Sequence, residues 1–296
     1  MIDLIKYRKW WYLLSLLIIV PGTISLVIWG LKPSIDFTGG TQIEFSGTTN
    51  KTAVGDVAKA DKIDDFTITQ SGNTLIFKTK IVDTTKQTNL ITDVQAKVSG
   101  AKETQIDTVG PSISAELTRN ALIMTIAACL VIIGYIALMF RKVPKPANSW
   151  EFGAAAIIAL LHDALVVLGI FSILGHFFNV EVDPLFITAI LTVIGFSVHD
   201  TIVIFDRIRE NLVRGSYPDF EKTVSVSVYE MLPRTINTSF LVWAILLVLY
   251  FFGGASTEYF VLALLIGIFS GTYSSILNAS PLLVTWEDFK AKKKQP

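Results

Sequence analysis

Two His-Asp dipeptides stand inside otherwise lipid-grade sequence, His162-Asp163 in AAAIIALLHDALVVLGIFSIL and His199-Asp200 in LFITAILTVIGFSVHDTIVIF. An ionisable side chain near the centre of a bilayer costs roughly 2.5–3.5 kcal/mol by insertion scales, so such groups face a bundle interior or a water path and find partners there. Imidazoles and carboxylates in that setting point to proton or ion handling. The same groups suit a divalent metal, and paired carboxylates could serve an intramembrane aspartyl protease. GFSVHD lacks the Gly-x-Gly-Asp form of that class, and a proton route is the reading the pattern favours.

Thr188, Thr192, Gly195 and His199 recur at helical spacing and share one face. Small and hydroxylated residues on such a face permit close helix approach and can line a wet seam. Asp200 is expected just past its end, toward the cytoplasm, within reach of an arginine on a neighbouring helix end. Arg234, opening the fifth span in LPRTINTSF, is the candidate partner, and Asp206 reads as a solvated helix end. His162 and Asp163 lie deeper. With His199 they form a polar relay, or an interhelical hydrogen-bond lock satisfied by His199 or Thr192. Gly267, Gly271 and Ser275 at fourfold spacing read as a packing ridge.

The elements that must position these groups follow from hydropathy. Of 296 residues 51% are hydrophobic and 17% charged, and the mean hydropathy is +0.55, which places the chain in the membrane class. A span needs about 20 apolar residues; candidates lie at 11–31, 119–140, 153–175, 185–206, 236–252 and 257–280. The first is too long, and too poor in a small-residue cleavage site, for a removed signal peptide, and reads as a signal anchor. Lys6, Arg8 and Lys9, then Arg141, Lys142 and Lys145, then Arg207, Arg209 and Arg214, then Lys290 to Lys294 all fall on one side of such a bundle. By the positive-inside rule that side, with both termini, is cytoplasmic. The segment from His176 to Asp183 and the Gly253-Gly254-Ala255 turn carry no Lys or Arg, as the opposite side should.

A net charge of zero gives no reason to invoke nucleic acid, and a basic tail beside lipid is the plain reading of 285–296. Cys129 is the lone cysteine, so no disulfide can form within the chain. Neither a Walker-type loop nor a dinucleotide fingerprint is present, so any energy input is expected from a gradient rather than a bound nucleotide, metal or other cofactor.

Between the first two spans, residues 32–118 are polar. Strand TQIEFSG, helix NKTAVGDVAKA, strand DFTITQ, a turn at 71–73, strand TLIFKT, helix TKQTNLITDVQAKVSG and strand KETQIDTVG give the order βαββαβ. That is the ferredoxin-like split motif, with alternation at Ile43/Phe45 and Phe66/Ile68 for half-buried strands. The expected plan is an α-helical membrane protein of six transmembrane helices with an inserted α+β ferredoxin-like extracytoplasmic domain. Its parts are 1–31 (N-terminus and first span), 32–118 (inserted domain), 119–284 (five further helices) and 285–296 (basic tail). The inserted domain suits binding or docking. Gly39 and Gly40 read as a structural turn from span to domain.

DFTGGTQIEF after the first span, VGPSISAEL before the second, SVHDTIVIFDRIREN in the fourth and LPRTINTS into the fifth, in that order, resemble the SecF family. The resemblance implies an accessory, non-enzymatic subunit of bacterial Sec protein export in the RND-related group, in the cytoplasmic membrane with its large loop outside. It implies SecD, the SecYEG channel, YajC, membrane lipid and the translocating polypeptide as partners, and the proton-motive force as energy source. The family's proton-linked aspartate falls on Asp200 and its arginine on Arg234. His199 departs from the family's Asn; it either replaces the amide as a hydrogen-bond donor or shifts the pH range of coupling. The alternatives are an RND-type exporter of small molecules or lipids, and a passive assembly subunit.

Overall fold

The computed structural model describes residues 4–71, 73–80, 83–215, 217–254 and 257–294. Among these the chain forms two compact units, one of residues 32–123 with 181–184, the other of the remainder.

The smaller unit holds α2 (Ile35–Thr38), β1 (Gly40–Ser46), α3 (Lys51–Ala60), β2 (Phe66–Ser71), β3 (Thr74–Thr79), α4 (Thr84–Lys97) and β4 (Lys102–Val109). The sheet order is β2-β3-β1-β4, antiparallel throughout, as the split βαββαβ motif requires. Alternation puts Ile43 and Phe45 of β1 opposite Phe77 and Leu75 of β3, on the face that Val54, Ala58, Leu90 and Val94 of the helices cover. All eight side chains are fully buried, so this sheet-on-helix layer is the unit's core. Of the turn expected at 71–73, Gly72 lies outside the described residues.

Gly39 ends α2 and Gly40 begins β1, with φ of +72° and +142°. A Cβ on Gly40 would lie 2.7 Å from the Thr79 carbonyl oxygen, so the pair is dictated by backbone geometry. Glu181 forms ion pairs with Lys78 and, at 3.6 Å, with Lys32.

Among the described residues six helices are long and apolar enough to cross a membrane. They are α1 (Arg8–Ile28), α5 (Pro111–Met139), α6 (Ser149–Phe178), α7 (Pro184–Arg214), α8 (Phe220–Phe252), and α9 (Glu258–Ser274), which runs through a π-helical turn (Ser275–Ala279) into α10 (Ser280–Lys294). Most run past the limits that hydropathy sets. The α8 helix begins at Phe220, where Asp219 accepts the Lys222 N–H at 2.6 Å as its N-cap. Pro233 and Arg234 therefore sit inside α8 rather than at its start. The basic tail is helical through Lys294 within α10. Of the Gly253-Gly254-Ala255 turn, Ala255 lies outside the described residues.

The polar extensions of α7 and α8 hold each other. Arg207 bonds Glu230 at 2.7 Å and Asn211 bonds Ser227 at 2.9 Å, while Asp206 pairs with Arg209 on its own helix. Glycines set two close crossings. A Cβ on Gly169 of α6 would come within 2.6 Å of the Gly22 backbone of α1, and one on Gly267 of α9 within 2.2 Å of the Val193 side chain of α7. Gly271 meets Ser197 one turn on, so the Gly267/Gly271 ridge lies against α7.

Candidate functional site: two buried carboxylates in the helix bundle

Asp163 is fully buried and accepts four hydrogen bonds. His162 Nδ1 lies 2.9 Å and Ser270 Oγ 2.7 Å from one carboxylate oxygen; Ser197 Oγ at 2.5 Å and Ser274 Oγ at 2.7 Å donate to the other. An ionised carboxylate is an acceptor only, and this site offers donors on both oxygens. Ser270 and Ser274 stand four apart on one face of α9, Ser197 is on α7 and Asp163 on α6, so one side chain ties three helices.

His162 continues the network. Its Nε2 lies 2.7 Å from the Tyr273 hydroxyl and 3.2 Å from Asn278 Nδ2, and that amide also donates to Ser15 Oγ of α1 at 2.7 Å. Asn278 belongs to the π-helical turn. The wider helical repeat there directs Asn278 to His162 while Ser275 meets Thr201 of α7 at 2.8 Å.

Asp200 is buried on α7 with far less support. Among the described residues its one side-chain hydrogen bond comes from Ser239 of α8, at 3.4 Å, and Ser239 accepts from Thr272 of α9 at 2.7 Å. Behind that hydroxyl pair, between α8 and α9, lies a cavity of about 310 Å³ with apolar walls that include Ile236, Phe240, Trp243 and Phe269. It brings the outer surface of the helices to within two hydroxyls of Asp200.

The geometry corrects several expectations. Asp200 is not paired with Arg234. Ser239 lies five residues beyond Arg234 on α8, about 140° around the helix, so when Ser239 faces Asp200 the arginine is carried to the exposed outer face. The Thr188, Thr192, Gly195 and His199 stripe is exposed rather than turned to an inner seam, because Ser197 and Asp200 occupy the buried side of α7. His199 and Thr192 consequently do not satisfy His162 or Asp163. The serines do so instead, together with Tyr273 and Asn278, and none of these was singled out from sequence. Their available signal was Ser270-x-x-x-Ser274 beside Gly267 and Gly271, a hydroxyl stripe next to a glycine ridge. Among the described residues no cluster of three or more His, Cys, Asp or Glu is arranged to hold a metal ion.

Comparison with known proteins gives a consistent result. The family description "Protein export membrane protein SecD/SecF, C-terminal" matches residues 89–288, and "SecD/SecF GG Motif" matches residues 24–50, which include Gly39 and Gly40. A protein translocase subunit SecF of Thermobaculum terrenum is 46% identical across 97% of this chain and 95% of its own length. That of Anaerolinea thermophila is 39% identical across 97% and 94%. The crystal structure of SecDF from Thermus thermophilus, a translocon-associated membrane protein, superposes with a TM-score of 0.83 at 31% identity, covering 97% of this chain and 39% of that one. A SecDF structure in a super-membrane-facing form gives 0.71 at 30% identity over 99% and 40%. The chain thus spans about two fifths of the solved SecDF chains.

Proposed function

Because the chain belongs to the SecD/SecF family of protein export membrane proteins, we propose that it couples the proton-motive force to polypeptide export and that Asp200 is the group that takes and releases the proton. The observation that carries this reading is the contrast between the two buried carboxylates. Asp163 has four hydrogen-bond donors spread over its two oxygens. Asp200 has one long hydroxyl contact and no cation beside it among the described residues. Burying a charge without compensation is expensive, and the group neutralises instead; the arrangement suits a protonated Asp200 held by Ser239.

Loss of that proton leaves a carboxylate in an apolar helix face. The nearest remedy in sequence is Arg234, about 7.5 Å along α8 from Ser239 by helical rise. A turn of α8, with the reach of the arginine side chain, exchanges the hydroxyl for the guanidinium. Pro233, which cannot donate a backbone hydrogen bond, stands beside Arg234 where such a turn would be absorbed. One charge moved across 100 mV is worth about 2.3 kcal/mol, enough to shift a two-state equilibrium by well over tenfold. The αβ unit outside the membrane would move with the helices and act on the translocating polypeptide, with SecD supplying the other half of the bundle at the SecYEG channel and YajC beside it, in a bacterial cytoplasmic membrane with both termini inside. No chemistry on the substrate is required.

The test is ATP-independent completion of export in vesicles carrying the full chain with SecD, with and without an imposed proton gradient. Wild type should gain from the gradient and Asp200→Asn should not. Equal gains would make the chain a passive subunit.

A further inference from the structure

The His162 imidazole is a titratable group that the Asp200 mechanism does not use. We infer that it is a second proton-binding site of the bundle, read by the amide of Asn278 on the π-helical turn. The inference goes beyond the export reading and stands whether or not Asp200 is the coupling carboxylate.

Two observations converge on it. First, Nδ1 faces the Asp163 carboxylate at 2.9 Å and so carries hydrogen, whereas Nε2 faces the Tyr273 hydroxyl at 2.7 Å and the Asn278 NH2 at 3.2 Å, both able to donate. The amide contact fits a neutral imidazole with Nε2 as acceptor, while the Tyr273 hydroxyl can donate or accept. Second, Asn278 Oδ1 is buried and has no donor among the described residues. A buried carbonyl oxygen without a donor is rare and calls for an explanation, and a half turn of this amide would bring it round to Nε2.

A proton taken from water onto Nε2 turns imidazole to imidazolium, and the His162–Asp163 pair passes from a net charge of −1 to neutral. The new Nε2–H then donates to Asn278 Oδ1 after the amide turns. Tyr273 keeps its place as an acceptor, its own proton swinging to Ser15 Oγ, 3.4 Å away. Among the described residues the charged and titratable groups around His162 are few. Asp163 stands on its own helix, Tyr273 on α9, and Asp200 on α7 is the next carboxylate. From α1 the contribution is Ser15, and the Glu151–Lys290 pair of α6 and α10 lies about 16 Å along α6 by helical rise. Because Asn278 also holds Ser15, proton uptake at His162 reorganises the join between α1, α6 and the π turn.

The experiment is 15N NMR of histidine-labelled full chain in lipid vesicles, with His176→Gln and His199→Gln leaving His162 as the one imidazole. At alkaline pH Nδ1 should be protonated and Nε2 bare, and acidification should protonate Nε2 in a one-proton step. Asn278→Leu should lower its proton affinity about tenfold, a midpoint shift of about one pH unit, and Asn278→Asp should raise it. Asp200→Asn should leave the step in place. An Nε2 that stays bare, or stays protonated, from about pH 4 to 9 would overturn the inference, as would a midpoint that neither Asn278 substitution moves.

Discussion

Asp163 ties three helices through four side-chain hydrogen bonds, and its removal gives the sharpest quantitative check on their packing. Asp163→Asn keeps one carbonyl oxygen for His162 and Ser270, and presents an NH2 to Ser197 and Ser274, whose hydroxyls can turn from donor to acceptor. Asp163→Leu removes all four bonds and presses a branched side chain toward Gly271, whose Cβ position lies 3.6 Å from the carboxylate. Side-chain hydrogen bonds between membrane helices average about 0.6 kcal/mol with a maximum near 1.7. Four such bonds give about 2.4 kcal/mol for the leucine variant, to which overpacking adds about 1–3 kcal/mol, whereas the asparagine variant should lose about 1 kcal/mol. Denaturant unfolding of the full chain in mixed micelles, followed by circular dichroism, reads both. A double-mutant cycle isolates one bond: Ser270→Ala should cost about 0.6–1.7 kcal/mol in the wild type and nothing in the Asp163→Leu background. A leucine variant as stable as wild type, or a Ser270 effect unchanged by loss of Asp163, would refute the hub.

Gly40→Ala, whose Cβ would meet the Thr79 carbonyl at 2.7 Å from a φ of +142°, should cost about 1–3 kcal/mol in the same unfolding assay, while Gly110→Ala, facing open space, should stay within about 0.5 kcal/mol. Gly267→Leu should destabilise the bundle by about 1–3 kcal/mol and be partly rescued by Val193→Ala, because the clash is with a side chain; Gly169→Leu, clashing with the Gly22 backbone, should admit no such rescue. Lys97 has its pKa raised by its hydrogen bond to Asp93, and Lys80 likewise by Asp65. A raised lysine stabilises fully below its ordinary value of about 10.4 and loses that contribution only above it. Melting of the chain should thus show no lysine-dependent change from pH 7 to 9; a loss in that window abolished by Lys97→Gln would contradict the assignment.

Much of the fold was legible because two periodicities carry it. Ile43/Phe45 and Leu75/Phe77 alternate as strands with one buried face must, and the lipid-grade runs can cross only as helices. Helix ends were less legible. Phe220 to Leu232 is too polar to register as span, yet Asp219 caps it and Asn211, Arg207 and Glu230 hold it against α7. The site was half legible. The ionisable residues announced themselves by their cost in an apolar run, but their partners depend on how each helix is rotated. A turn of about 140° decides whether Ser239 or Arg234 meets Asp200, and nothing local in LPRTINTSF sets it. The serines around Asp163 escaped notice because hydroxyls are common in membrane helices and gain meaning only when three helices bring them to one carboxylate. The π turn at Ser275–Ala279 left no mark in hydropathy, although it delivers Asn278 to His162.

Proton coupling through this bundle requires that Asp200, and not Asp163, bind and release the proton. Infrared difference spectroscopy of the full chain in lipid vesicles, stepped in pH, reports the protonated carboxyl C=O stretch directly. A band should appear on acidification, be abolished by Asp200→Asn and persist in Asp163→Asn. A band that survives Asp200→Asn and disappears with Asp163→Asn would contradict that requirement.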